Sequence, residues 1–479
     1  MCKNKTKKKI DNNYIKMLGE SSEAVTGSQF LVQWAGYKIL LECGFYQSNC
    51  VEKDYMVNAS NFNFKAKEID FVFLLHNHCD HVGKTPKLYK DGYAGKILMP
   101  VKSKPITKIM LEDSAHIIEK DRTFLNKRYK KKLNPIYTTE DVDRTINNIV
   151  EYDLEVEHKI NDNISFIMYP SQHVLGSAQL LLILTQGGKR KKILYTSDLG
   201  NTKFGHTPYA SDFAPVKNAN IVLGESTYGS SKKSCRSKKD RDKDIEKIKS
   251  AVNQFVIDNK AKLLIPAFSF HRTQIMLKYI YDLYQDHPED FDVVIDSPMA
   301  IKVTKEFSNL LEGQEKIEFD KMMSWKKLKF VDDWEASEMC AKSDKPMVII
   351  SASGMMSAGR VVNHTAHIIE DEKSAIMICG YASPNTMAGV IREGKKKYIK
   401  IGEETYKNKA QLIQLRTMSS HMQHGELLKY YSGINYDSLY LVHGNGDRAE
   451  FRDEIEEKLR SKNKTSSVFL GEKDLIIEL

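Results

Sequence analysis

No two of the seven cysteines form a CxxC pair; they stand at 2, 43, 50, 79, 235, 340 and 379, and their number is odd. That scatter excludes a thiolate zinc knuckle and a disulfide framework. Long hydrophobic runs are missing as well. None approaches the ~18 to 20 residues needed to cross a bilayer, so no membrane partner is expected. The basic start, MCKNKTKKKIDNNY, is not followed by the apolar stretch of a signal peptide. Residues 1–20 therefore read as a disordered basic tail on a cytoplasmic protein. Repeats are absent, and low-complexity sequence is confined to two Lys-rich stretches, KTKKK at 5–9 and SSKKSCRSKKDRDKDIEKIKS at 230–250.

What is present is an ordinary globular composition over 479 residues, with 41% hydrophobic and 28% charged side chains, enough for two domains. The 72 Lys and Arg against 63 Asp and Glu leave a net charge of +9, which favours an anionic partner. The second Lys-rich stretch reads first as a solvated loop running into a helix and second as a phosphate contact. Apolar runs at 28–36, 37–44, 69–76, 95–100 and, further on, NISFIMYP, SAQLLLILTQGG and KKILYTSDLG predict strands. Helix-like segments lie among them, and the mixture suggests stacked sheets with helices outside. From about residue 210 the runs NANIVLGEST, KAKLLIPAF, FDVVIDSP and KPMVIISASG alternate with helical stretches at 243–259, 272–287 and 299–312. That βαβ rhythm predicts a second α/β domain with a parallel sheet flanked by helices.

The stretch IDFVFLLHNHCDHVG (69–83) ends an apolar strand in His76, His78, Asp80 and His81. Four such groups cannot all be buried unpaired, and His with carboxylate suits zinc or a similar first-row ion, with iron and manganese as competitors. Cys79 in their midst reads as a passenger. Two ions would need seven or eight ligands. YPSQHVLGSA, LYTSDLGN and LYLVHGNG repeat the design, placing His173, Asp198 and His443 just beyond apolar strands with Gly close by. Ions ~3.5 to 4 Å apart can clamp both oxygens of an in-line displacement, which points to hydrolysis, especially of a phosphodiester.

HNHCDH resembles the HxHxDH signature of the metallo-β-lactamase fold. EAVTGSQFLVQWAGYKILLECG, QHVLGSA, TSDLGN, ESTYG, PAFSFHRTQ, DSPMA, SASGMMSAGR, SSH and LVHG resemble, in order, the β-CASP nucleases. Within that family the chain looks like a bacterial relative of the pre-mRNA 3′-end cleavage subunit. The resemblance implies an α/β fold: a metallo-β-lactamase αββα sandwich at 21–209 completed by 402–479, with a β-CASP domain inserted at 210–401. It implies two Zn2+ per chain (Mn2+ or Fe2+ in their place), the first on His76, His78 and His173, the second on Asp80, His81 and His443, with Asp198 bridging. Glu225 falls on the family's glutamate after the bridging aspartate and His421 on its penultimate histidine. The pair, together with Asp80, carries the catalytic expectation: the imidazole gives a proton to the leaving 3′ oxygen and the carboxylate orients it. The inserted domain implies phosphate contacts at Ser353 and Gly354, with Arg360 and Arg272 close behind, the arginines being equally able to brace the domains.

Three departures stand out. Glu42 in LLECG replaces an aspartate that supports a ligand, SSHMQHG lacks an aspartate two residues after the histidine, and His271 in HRTQ replaces a glycine. None removes a ligand. His443 matches RNA-directed members, whereas DNA-repair members carry valine. The expectation is a zinc-dependent hydrolase of single-stranded RNA, endonucleolytic, in RNA processing or decay, with a homodimer as a reasonable assembly. The alternatives are a 5′-to-3′ exoribonuclease, a DNA nuclease and a catalytically weak RNA-binding scaffold.

Overall fold

In Phe30–Trp34 the side chains of Phe30, Val32 and Trp34 enter one hydrophobic core and Leu31 enters another, as alternate positions of a strand must. The same partition runs through Val72 and Phe73 and through Leu181 and Leu182, and it sets the layering of the first unit. The computed structural model describes residues 13–48, 50–130, 132–200, 208–230, 237–288, 290–380, 382–383, 385–446 and 448–479. Two compact units fall within Met1–Cys235 plus Ser420–Leu479 and within Arg236–Ser419.

The first unit holds two seven-stranded sheets. One runs in the order Ile476–Glu478, Tyr14–Met17, Phe30–Trp34, Tyr37–Leu41, Phe71–Phe73, Lys96–Pro100, Ile149–Tyr152. The other runs Ser467–Leu470, Ser438–Val442, Ile221–Glu225, Lys189–Tyr195, Ala178–Gln186, Ile164–Pro170, Glu157–Lys159. Between them lies a core of Phe30, Phe73, Leu98, Phe166, Leu180, Leu182, Leu223 and their neighbours. Each such side chain, fully withdrawn from water, contributes roughly 1.5–3 kcal/mol. On the outer face of the first sheet, Leu40, Val72 and Ile97 meet Leu88, Leu111 and Val142 from helices; on the second, Leu194, Val222 and Leu441 meet Leu427, Tyr431 and Phe451. This is a helix–sheet–sheet–helix sandwich.

The second unit has a six-stranded, wholly parallel sheet, ordered Leu328–Val331, Asp292–Asp296, Met347–Ser351, Lys262–Pro266, Ala375–Ile378, Gln411–Gln414. Crossovers through Arg272–Tyr284 and Pro298–Leu310 run one way along the sheet and those through Trp334–Lys342 and Arg360–Ile368 run back, so both faces are covered and the inner strands read as continuous apolar runs. Together the units make the α/β architecture of a metallo-β-lactamase sandwich with an inserted α/β domain.

The boundaries differ from those drawn on the sequence. Ile221–Glu225 lies beyond position 210, yet it pairs in parallel with Lys189–Tyr195 on one side and Ser438–Val442 on the other, so it belongs to the sandwich. Gln411–Gln414 lies beyond 402 but pairs with Ala375–Ile378 in the second unit. The divisions fall after Cys235 and after Ser419. At the start, Tyr14–Met17 is a strand held between Phe30–Trp34 and Ile476–Glu478, which removes it from the tail read over 1–20. Positions 5–9 and 231–236 of the Lys-rich stretches lie outside the described residues. The remainder of the second stretch begins the helix Lys238–Ala251, closed by a capping box between Ser237 and Asp240. Among the described residues no helix is long and apolar enough to cross a membrane.

Candidate metal centre

The strand Phe71–Phe73 stops short of the histidines because the chain leaves the ladder to reach them. Leu74 still donates to the Leu98 carbonyl (3.0 Å), but the Leu75 N–H turns to the Glu42 carboxylate, at 3.2 Å from Oε1. His76 follows, and His78 caps the short helix Cys79–Val82 that presents Asp80 and His81. His173 sits in the turn after Ile164–Pro170, where Ser177 Oγ accepts from the His173 and Val174 N–H groups (both 3.0 Å) and rolls the chain back. Asp198 follows Lys189–Tyr195, and His443 follows Ser438–Val442. Four site positions, Glu42, Gln172, Ser197 and His443, hold φ between 47° and 59° without being glycine. Strain of about 1–3 kcal/mol at such a residue persists where packing fixes it, and it clusters at functional sites.

The seven side chains singled out as ligands converge within the first unit. One group comprises His76, His78, His173 and Asp198; a second comprises Asp80, His81 and His443. Asp198 Oδ2 lies 3.3 Å from His76 Nε2 and 3.4 Å from His173 Nε2, which is itself 3.2 Å from His78 Nδ1. Asp198 Oδ1 lies 3.4 Å from His81 Nε2 and 3.4 Å from His443 Nδ1, and Asp80 Oδ2 is 3.3 Å from His443 Nε2. One carboxylate thus turns an oxygen to each group. His76, His81 and Glu42 form a third overlapping set.

These spacings fit a metal better than they fit hydrogen bonds. Two ligands of a tetrahedral ion at ~2.0–2.1 Å stand about 3.3–3.4 Å apart. His76 Nε2 and Asp198 Oδ1 are buried with no hydrogen-bond partner, although charged neighbours lie within 3.4 Å. The hydrogen bonds fix the tautomers accordingly. Ser197 Oγ donates to Glu42 Oε1 (3.1 Å), so at 3.2 Å it accepts from His76 Nδ1–H and leaves the Nε2 lone pair facing inward. Thr227 Oγ1 donates to the His443 carbonyl and meets His443 Nδ1, both at 3.1 Å, to the same effect.

Charge agrees. Burial holds the imidazoles of His76 and His173 below their ordinary range and pushes His78 down to about 3, keeping them neutral. Burial would raise the Asp198 carboxyl, but His443, His81, His76 and His421 outweigh it and hold it well below. His81 is driven above its usual value against burial by Asp198 and Asp80, taking the place of a cation between carboxylates. Neutral imidazoles around ionised carboxylates are the state a divalent ion needs. The donor set is consistent with one or two such ions.

Beside it, Glu225 is buried at the end of Ile221–Glu225. Its Oε1 accepts from Leu199 N–H (2.8 Å) and lies 3.2 Å from His421 Nδ1, and its Oε2 accepts from Thr227 N–H (3.1 Å). His421 Nε2 is 3.9 Å from Asp198 Oδ2. Burial opposes protonation of His421, but Glu225 and Asp198 together hold it above its ordinary value. Sequence reading did not single out Ser197 or Thr227. Both lay inside quoted motifs, and nothing but that adjacency marked them.

Ser353, Gly354, Arg360 and Arg272 lie in the second unit. Ser353 N–H donates to the Ala358 carbonyl (3.4 Å) in the turn after Met347–Ser351, and a Cβ on Gly354 would stand 3.2 Å from the Phe268 ring. Arg360 donates to Asp296 Oδ1 (2.6 Å) and to the carbonyls of Val331 (2.8 Å) and Asp332 (2.6 Å). These partners lie inside its own unit. Arg272 is buried at the first turn of Arg272–Tyr284, and His271 precedes it at φ 69°.

A helix–sheet–sheet–helix sandwich with His and Asp ligands gathered at its strand ends defines an α/β metallo-hydrolase. Residues 273–391 match the Beta-Casp domain family. A ribonuclease of Thermus thermophilus is 28% identical over 89% of this chain and 92% of its own length. The transcription termination factor FttA of Methanocaldococcus jannaschii is 25% identical over 92% of this chain and 68% of its own. A crystal structure of a protein of unknown function from Enterococcus faecalis V583 superposes with a TM-score of 0.55 over 98% of this chain and 100% of that one, at 13% identity, which speaks to the fold alone. The chain thus carries a Beta-Casp domain and is a metallo-hydrolase related to these proteins.

Proposed function

We propose that the chain is a metal-dependent ribonuclease that cuts single-stranded RNA internally and leaves a 3′ hydroxyl. The observation that carries this reading is the division of Asp198 between two ligand groups, with the Glu225–His421 pair alongside. His76, His78, His173 and Asp198 would hold one Zn2+, and Asp198, Asp80, His81 and His443 a second. When bound, such ions supply Lewis acidity and lower the pKa of water.

The chain's own residues supply the rest. Glu225 accepts from His421 Nδ1–H, fixing the ring so that Nε2–H faces the ligand groups as an acid. As a water oxygen joins phosphorus, losing its own proton to solvent, and the P–O3′ bond breaks, the Nε2 proton passes to the departing 3′ oxygen, leaving a 5′ phosphate on the other product. Asp80 and Asp198 stay ionised throughout, keeping the ligand shell rigid. The RNA-acting relative from Thermus thermophilus and the +9 net charge support RNA as the substrate.

The test is metal analysis of the purified chain, joined to product mapping on 5′-labelled RNA and the matching DNA. Internal RNA fragments and about two equivalents of zinc are expected. Mononucleotides would make it an exonuclease, and cleavage of DNA alone would overturn the substrate. Wild-type activity in Asp80→Ala would overturn the mechanism.

A further inference from the structure

The first half of the helix Lys104–Tyr129 serves the metal centre. Thr107 Oγ1 donates to Asn77 Oδ1 (2.5 Å) between His76 and His78, and Ser103 Oγ donates to the Gly176 carbonyl (3.2 Å) beyond His173. The last turns do something else. Phe124 is 51% and Tyr129 40% exposed, and Lys120, Lys127, Arg128, Lys130 and Lys132 are all exposed around them. We propose that this helix end and the turn behind it form a second contact surface for single-stranded RNA, remote from the metal centre.

Three observations set it apart from a solvated charged face. First, positive charge is in excess: Arg122 is paired with Glu119 and Glu52 reaches the Tyr129 hydroxyl, but none of the five exposed cations is in an ion pair among the described residues. Second, the charge is interleaved with rings. The Arg128 guanidinium lies 5.7 Å from the Phe124 centroid and 5.5 Å from that of Tyr129, whose hydroxyl is held by Glu52. Third, the turn is fastened rather than loose. Leu133 N–H donates to Asn126 Oδ1 (2.8 Å), Arg122 to the Leu133 carbonyl (3.3 Å), Tyr55 to the Asn134 carbonyl (2.6 Å), and Lys90 to the carbonyls of Pro135 and Ile136. Lys130 sits at φ 49° and is turned outward. Lysines on a fixed platform meet phosphates, and exposed rings beside a guanidinium stack bases.

The occupant follows from that combination. An acidic protein would use the charges but not the rings, and a duplex hides its base faces. From Thr107 to Arg128 the helix rises about 32 Å, the span of some nine stacked nucleotides at ~3.4 Å each. A strand held at this end and cleaved at the metal centre must therefore be longer than the metal centre alone requires. The surface rests on the reading of the substrate as single-stranded RNA.

The experiment measures binding of fluorescein-labelled oligouridylates of about 6 and about 24 nucleotides to the full chain by anisotropy in EDTA, so that binding is read without cleavage. Two variants are compared, Lys127→Glu/Arg128→Glu and Phe124→Ala/Tyr129→Ala, each with circular dichroism matching the wild type. The charge-matched control is Lys189→Glu/Arg190→Glu, on an exposed hairpin. Each patch variant is expected to weaken the longer oligomer about tenfold, roughly one stacked base or two phosphate contacts, and to leave the shorter one and the control unchanged. Wild-type affinity in both patch variants would overturn the proposal, as would an equal loss in the control. So would loss of binding to phosphatidylserine vesicles with RNA binding intact, which would make it a membrane-facing surface. If the wild type cleaves RNA while the patch variants bind normally, the surface alone fails. If the wild type cleaves no RNA but the patch variants lose binding, the surface stands and the nuclease reading fails.

Discussion

Glu42 fixes the orientation of one histidine in each ligand group. Its Oε1 takes the Ser197 hydroxyl, which in turn holds His76 Nδ1, and the same oxygen stands 3.5 Å from His81 Nδ1. Partners of this kind orient ligands and are worth ~10–100-fold in metal affinity when lost. Glu42→Ala is therefore expected to lower zinc affinity by that factor in competition with a chromophoric chelator, while the fold persists. Glu42→Asp keeps the carboxylate and tolerates φ 59°, and it should stay within about threefold of wild type. Equal zinc affinity in Glu42→Ala would show that the imidazoles are oriented without it. The Glu225–His421 pair predicts a different pattern. His421→Ala and Glu225→Gln should each reduce RNA cleavage about 10²–10⁴-fold at unchanged zinc content, because neither belongs to a ligand group. Zinc loss parallel to activity loss in either variant would reassign that residue to metal binding.

The elements deliver these side chains by touching one another closely at their ends. Gly44, just after Tyr37–Leu41, lies against the metal-bearing turn: a Cβ there would stand 1.6 Å from the Asp80 carbonyl, which accepts from Ser28 N–H. Nothing flexible can yield, so Gly44→Ala must push the turn carrying Asp80 and His81. A displacement near 1 Å costs about 100-fold in rate, and cleavage should fall by at least that while circular dichroism holds. Unaltered cleavage would mean that the turn can shift without consequence. Such contacts explain what was legible beforehand. His76, His78, Asp80, His81, His173, Asp198 and His443 could be found because polar groups beyond apolar strands are costly unless they share a task. Ile221–Glu225 could not be placed, since its buried apolar run reads like those of the second unit, and only its register with Tyr195 and Val442 assigns it. The pairing of Arg360 was hidden for a similar reason, since its partner Asp296 is 64 residues away and no local pattern reveals it.

At the scale of the molecule, the ligand set ties a discontinuous chain together. The sandwich is completed by Ser420–Leu479, which returns after the whole second unit and brings both His421 and His443. Ser438–Val442 enters the sheet in parallel beside Ile221–Glu225, so its end reaches the centre only if that long-range register forms. Loop closure across such a separation is paid in chain entropy, and contacts that reward it come late in folding. A bound ion would add stability of about 2.7 kcal/mol at a hundredfold excess over its dissociation constant, felt by the elements that carry ligands. Stripping metal with a chelator should therefore speed amide exchange in peptides spanning 164–177, 189–200 and 438–446. Exchange in Met347–Ser351 and Ala375–Ile378, whose strands pair within the second unit, should keep its rate. Hydrogen-exchange mass spectrometry with and without chelator reads both sets in one experiment. A uniform rise would assign the metal a global rather than a local role, and no rise in the first set would mean that these side chains hold their places by packing alone.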